Sequence, residues 1–275
     1  SLTTPWLTER HGYDPTYRIH PRGYALRYIL GGAALILLFV FSCVYLDLDF
    51  AKFAQRLSNV PEIVSRMMHL DLSMLPEIIF QLFVSITLAL LALVIGIVIS
   101  FVLAAFGASN LAPHHWISQL IKGVVAVIRA VPSLVWILMV VASVGFGNSG
   151  ALLGLVIMSV GFLTKAFCSV FEENGYGRIE ALRSVGARWI NVVIQGVAND
   201  ALPGLLTWIA LTIETNIATS ISLGVLGISG VGNLLNRQIM KFNYPGISTI
   251  ILVIFIALII VELSVGKLKE RIHEK

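Results

Sequence analysis

Apolar and polar positions separate along this chain on a long scale. Windows free of Asp, Glu, Lys and Arg run over 28–46, 78–121, 130–164, 201–213, 215–236 and 242–261. About 20 apolar residues cross a bilayer as a helix, and the second and third windows exceed that length. The pattern predicts six membrane-spanning helices near 26–46, 80–106, 118–144, 150–171, 201–224 and 246–266. Strand alternation is not the governing period, so the expected class is an all-α polytopic membrane protein.

Composition agrees: 57% of the 275 residues are hydrophobic and only 12% are charged, about half the charge of an ordinary soluble domain. Lysine and arginine accumulate on the cytoplasmic side of membrane proteins. With the N-terminus inside, six spans put 13 of the 19 basic residues on the inner side, five outside and Arg129 within a span. Both termini are therefore expected in the cytoplasm. That organisation gives an inner tail at 1–25, a first span, and an extracytoplasmic segment at 47–79. A five-helix core at 80–266 and an inner tail at 267–275 follow. The first apolar run lies behind more than twenty mostly polar residues and lacks a small-residue cleavage site, so it is expected to stay as a span. The net charge of +4 reports this sorting, because its basic residues lie in separate loops without the clustered face of a nucleic-acid binder.

A polar loop at 172–200 interrupts the lipid-adapted pattern. Glu172, Glu173, Arg178, Glu180, Arg183 and Arg188 are expected to be solvated there. Residues from Arg178 to Val185 favour helix, and Gly186 suits a left-handed helix end. Trp189, Ile190, Val193, Ile194 and Val197 then recur at helical spacing, and Pro203 suits the first turn of the next span. Two short helices joined at a glycine offer either a protein-docking surface or an amphipathic element on lipid headgroups.

In the fifth predicted span, Thr212, Thr215, Asn216, Thr219, Ser220 and Ser222 fall within an arc of about 160 degrees at 100 degrees per residue. Such a stripe either glues helices together or lines a polar path. Glu214 lies opposite the stripe and is expected to be structural, with Arg129 as its candidate partner. Pro132 removes a backbone bond near residue 128 and is expected to bend the third span. Gly224, Gly227, Gly230 and Gly232 mark an outward-facing turn or a re-entrant segment.

Several chemistries are absent from the sequence. No Gly-x4-Gly-Lys-Ser/Thr occurs, so the chain has no P-loop of its own. Gly227-Ile228-Ser229-Gly230 has the form of an intramembrane serine-protease motif. That motif needs a histidine at membrane depth, and His11, His20, His69, His114, His115 and His273 all fall in predicted loops or tails. His114 and His115 lack the i, i+4 spacing of a helical metal site. Cys43 and Cys168 stand in separate predicted helices without CxxC spacing. Neither metal nor cofactor is expected in this chain.

The segment Glu180-Ala181, three residues, Gly186, with Leu202-Pro203 beyond, resembles the EAA loop of binding-protein-dependent ABC importer permeases. Arg129-Ala130-Val131-Pro132 is similar to their Arg-x-x-Pro stretch. Glu214-x-Asn216 with the following glycine segment resembles the phosphonate-transport permeases among them, and the likeness covers roughly residues 75 to 270. The chain departs from the pattern at Ala198-Asn199, Thr212, Ala218 and Ser229. The resemblance implies a type I ABC importer permease fold in the inner membrane of a prokaryote. It implies Glu180, Ala181, Arg183, Gly186 and Ala187 as the ATPase-coupling loop and the fifth-span stripe as the pathway lining. Arg129, Pro132, Glu214, Gly230 and Gly232 then have structural or gating parts. The implied partners are an ATPase dimer that binds ATP and magnesium, an extracytoplasmic solute-binding protein and a second permease copy as a homodimer. The implied cargo is a small oxyanion such as phosphonate, phosphate or phosphite. Another small polar solute such as an amino acid, and a self-contained secondary transporter, stand as alternatives.

Overall fold

A computed structural model describes residues 24–273, and all its regular elements are helical. Chain contacts divide the sequence into two units, residues 1–61 and 62–275. The predicted tail at 1–25 lies almost wholly outside the described residues, as does the very end of the tail at 267–275.

In the first unit, α1 (Tyr24–Tyr45) is apolar on every side. Its large side chains are exposed, Leu35 and Leu37 to 70%, as suits a helix solvated by lipid. The short α2 (Phe50–Leu57) is amphipathic and starts at an Asp49 cap that accepts from the Lys52 amide at 2.9 Å. That amide bond, with the Lys52 side chain, holds the Asp49 carboxyl below its ordinary range.

The second unit begins within α3 (Val60–Met67) and is organised by α4 (Leu75–Gly107), 33 residues and about 50 Å long. Pro76 sits in its first turn, where the missing N–H is harmless. One face of α4 carries Ser85, Ala89, Ala92, Gly96, Ser100 and Ala104, all buried. These small residues let α7 (Asn148–Glu173) approach closely: a Cβ built on Gly96 lies 2.8 Å from the Ser159 Cβ. Near one end, Phe167 and Phe171 of α7 pack with Leu111, Val193 and Val197 in an apolar core.

The third predicted span is not one helix. It is α5 (His115–Ala130) and α6 (Ser133–Val144), bent by 93° at Val131-Pro132. Val131 is extended, as the residue before proline must be. Pro132 cannot donate to the Ile128 carbonyl four residues earlier, and the Trp136 indole Nε1–H donates to it instead at 2.9 Å. With this bent pair counted as one, six candidate spans stand among the described residues.

The fifth span also differs from its predicted bounds. A continuous helix, α9 (Trp189–Leu223), extends over 35 residues, with a π-helical stretch at Val192–Ala198. Pro203 therefore lies inside a helix rather than in its first turn. The wider π turn gathers Val192, Val193, Gly196 and Val197 onto one buried face, so docking of this segment outweighs the proline as a helix start. The short α10 (Val231–Met240) and the long α11 (Tyr244–His273) complete the unit.

Candidate functional site

The site at one end of the bundle begins with α8 (Tyr176–Ser184). Gly186 takes φ +73, which only glycine adopts without strain. Its amide donates to the Arg183 carbonyl and the Ala187 amide to the Leu182 carbonyl, both at 3.0 Å. These two bonds form a Schellman closure, which satisfies carbonyls that a helix end leaves open. Leu182 and Ala187 pack against the adjoining core, completing its hydrophobic contact. After the turn, Arg188 is extended and Trp189 starts α9. Gly175 makes the opposite corner at φ +86, close against Val197 and the Gly196 carbonyl.

The outer side of this unit is open. Glu180, Ala181 and Arg183 are exposed, and Tyr176, Val185, Ile190 and Ile194 present apolar surface beside them, Val185 at 77%. Arg183 also reaches back, donating to the Asn110 carbonyl at 3.0 Å. Trp189 donates to the Leu111 carbonyl at 2.8 Å and stacks on Phe106 at 4.7 Å. Residues of the turn between α4 and α5 are thereby fastened to both arms of the α8–α9 corner.

Two further ties escape sequence reasoning. Arg178, Glu173, Glu180, Arg183 and Arg188 are exposed as expected, whereas Glu172 is partly withdrawn from solvent. Glu172 is half-buried and accepts from the Ser109 amide at 2.8 Å, the Ser109 hydroxyl at 2.9 Å and the Lys122 ammonium at 2.6 Å. Arg178 pairs with Asp200 at 2.7 Å, pinning α8 to α9. The partners of Glu172 lie 50 and 63 residues away in sequence, so no local spacing announces them.

The polar stripe of α9 divides in two. Thr212, Asn216 and Ser220 are buried: Asn216 donates to the Ser159 hydroxyl at 2.8 Å, Ser220 to the Ser85 carbonyl at 2.8 Å, and Thr212 to the Trp208 carbonyl of its own helix at 2.7 Å. This half sits in helix packing. Thr215 and Ser222 are exposed and Thr219 half-exposed, each hydroxyl bonded to a carbonyl of its own helix. Their neighbouring surface faces out of the bundle.

The glycine segment is a turn at depth. Gly230, at φ +127, lies against Ser85, whose hydroxyl accepts the Val231 amide at 3.1 Å. Ser85 is ten residues into α4, about 15 Å from its start, so the turn packs against the body of α4 and not beyond its end. A Cβ on Gly232 would run into the Ile221 carbonyl oxygen, and one on Gly224 into the backbone of Gly232 and Asn233. From this turn α10 returns toward the start of α4, where Arg237 meets Glu77 at 3.2 Å.

The expected Arg129–Glu214 pair does not form. Glu214 lies 3.7 Å from Lys269 of α11 instead, while Arg129 sits at the α5–α6 break between two clefts, one lined by Pro132 and Trp136 and the other by Lys122 and Lys165. Glu214 is on α9, which packs beside α11, so its carboxylate finds the nearest cation there. Among the described residues no group of three His, Cys, Asp or Glu comes together to hold a metal ion.

The sequence profile described as "Binding-protein-dependent transport system inner membrane component" matches residues 96–273. The phosphate-import permease protein PhnE of Mycolicibacterium smegmatis is 31% identical over 188 residues, 68% of this chain and 35% of that protein. The chain thus spans about a third of that relative's length. The phosphite transport system permease protein PtxC of Stutzerimonas stutzeri is 27% identical over 253 residues, 90% of this chain and 92% of that protein. Among solved structures, an inward-facing MetNI methionine ABC transporter superposes with a TM-score of 0.65 at 18% identity, covering 74% of this chain and 99% of that one. That likeness is one of fold, the type I ABC importer permease fold. A helical bundle with this fold, matched by the profile over most of its length, belongs to the binding-protein-dependent transport system inner membrane components, as a multi-pass protein of the inner membrane.

Proposed function

We propose that this chain is the transmembrane subunit of an ATP-driven importer for a small phosphorus oxyanion, coupled to a separate ATPase through the α8–α9 corner. One observation carries the reading: the corner at Gly186 is fastened to the α4–α5 turn by Arg183 and Trp189, and Trp189 opens a helix that continues to Leu223 without a break. Closure of an ATPase dimer on Glu180, Ala181 and the apolar surface beside them moves α4, α5 and α9 together, because all three are tied at that end. The motion reaches the glycine turn at 224–232 through the body of α9. Alternating access then follows from one rigid displacement applied at one end.

In this reading both termini and residues 172–200 face the cytoplasm, and a second copy of the chain completes the path. Thr215, Thr219 and Ser222 face that path, with Thr212, Asn216 and Ser220 bracing it from behind. ATP and magnesium belong to the ATPase, and a solute-binding protein delivers cargo from the other side. The oxyanion assignment rests on the phosphate- and phosphite-importing relatives. Reconstituted vesicles with the ATPase and the binding protein should take up phosphate or phosphite on ATP addition. Uptake of an amino acid in their place would sink the cargo assignment. Gly186→Val should leave membrane insertion and most ATP hydrolysis intact while uptake falls at least about tenfold, since the strained corner no longer holds α8 against α9.

A further inference from the structure

The cleft between α5 and α7 holds charge that the coupling path does not use. Antiparallel packing of these helices sets Lys122 beside Glu172 at one end and Arg129 beside Gly161 toward the other, where a Cβ built on Gly161 comes within 3.6 Å of the Arg129 Cγ. Lys122 and Arg129 are seven residues apart, as are Lys165 and Glu172, so each pair shares one helix face, about 10 Å along it. Lys122, Arg129 and Lys165 all line a cleft of about 140 Å³, and no carboxylate does. Lys122 is matched by Glu172, whereas Arg129 and Lys165 have no ion pair among the described residues. Both side chains are exposed, Arg129 at the end of α5 and Lys165 about two turns inside α7, and a cation at membrane depth is costly without a counter-charge.

The second observation is a hydroxyl. Thr164 also lines the cleft, is 1% exposed, and its Oγ1 has no hydrogen-bond partner. Most buried hydroxyls are satisfied, commonly by the carbonyl one turn back in a helix. Two unmatched cations, an idle donor and apolar walls from Val125 and Cys168 meet in a space of four or five water volumes. Guanidinium and ammonium groups with a hydroxyl donor are the set that recognises a tetrahedral oxyanion.

We propose that the α5–α7 cleft is a binding site for a phosphate-type oxyanion, held by Arg129 and Lys165 with the Thr164 hydroxyl as third donor. The same chemistry is offered by free inorganic phosphate and by the phosphate of an anionic lipid headgroup. The proposal concerns binding by this chain alone and goes beyond the importer reading.

The test uses the full chain in nanodiscs. Radiolabelled inorganic phosphate is titrated in discs of zwitterionic lipid, and retained phosphatidylglycerol is counted by native mass spectrometry in discs that contain it. Arg129→Gln and Lys165→Gln should each weaken binding about tenfold, and Thr164→Val about fivefold. Arg129→Lys should restore part of the loss. Thr164→Val replaces an unsatisfied hydroxyl by a methyl group, so its thermal midpoint should not fall while binding weakens. Saturable phosphate binding that follows this order identifies the free ion, and phosphatidylglycerol retention that follows it identifies the headgroup. Absence of both, or binding in either arm that survives all three variants, overturns the proposal. Neither result depends on ATP-driven uptake, so failure here and failure of the coupling assignment are read separately.

Discussion

Gly227 and Gly232 stand five residues apart and should tolerate a side chain very differently. Gly227 has φ +84 with open space where a Cβ would go, whereas Gly232 lies on the Ile221 carbonyl. Alanine at 227 is expected to cost about 1 kcal/mol of backbone strain. Alanine at 232 must push α9 and α10 apart, at about 3 kcal/mol or more. Thermal midpoints of the two variants in detergent should separate by several degrees; equal midpoints would contradict the close crossing. Trp136 gives a second test at this scale. Its indole is the donor that replaces the one Pro132 lacks, so Trp136→Phe leaves the Ile128 carbonyl unsatisfied and should cost about 1–3 kcal/mol. A Trp136→Phe variant as stable as the parent would show that the carbonyl is satisfied otherwise. The proline's effect at residue 128 was legible in sequence, because a missing N–H acts four residues away. The tryptophan's role was not, since nothing in the pattern says which donor takes its place.

At the scale of elements, apolar windows placed the candidate spans in order, six with the bent α5–α6 pair counted as one, but not their ends. Helices continue past the membrane-sized apolar stretch wherever they pack on protein: α4 starts at Leu75 and α9 at Trp189, well before the predicted 80 and 201. Hydropathy registers the lipid-adapted part of a helix and is silent on the rest. The Gly186 corner was legible because a left-handed position selects its residue locally. The ties beside the corner were not, because Glu172 at the end of α7 meets Ser109 and Lys122 from two other segments distant in sequence. Glu172→Gln keeps the shape and removes the charge, leaving Lys122 half-buried and unmatched. The expected loss is about 1 kcal/mol, the pair being partly solvated. Lys122→Met with Glu172→Gln should recover part of it in a double-mutant cycle, and strictly additive losses would show that the pair is not coupled.

For the whole molecule, the stripe of α9 shows where periodicity stops being informative. An arc of hydroxyls and one amide was visible in sequence. Which half of it faces the bundle depends on α4 and α7, whose Ser85 and Ser159 meet Ser220 and Asn216. Large-scale motion rests on the same ties: α4, α5 and α9 are joined at the Gly186 end, while α9 and α10 cross backbone to backbone at the other. A push at one end should therefore be felt at the glycine turn. The most direct measurement of this coupling is the ratio of phosphate or phosphite taken up to ATP hydrolysed, in vesicles holding the assembled importer with either the parent chain or Gly186→Val. The account predicts that the variant keeps at least about half of the hydrolysis while uptake per ATP falls about tenfold or more; an unchanged ratio would contradict it.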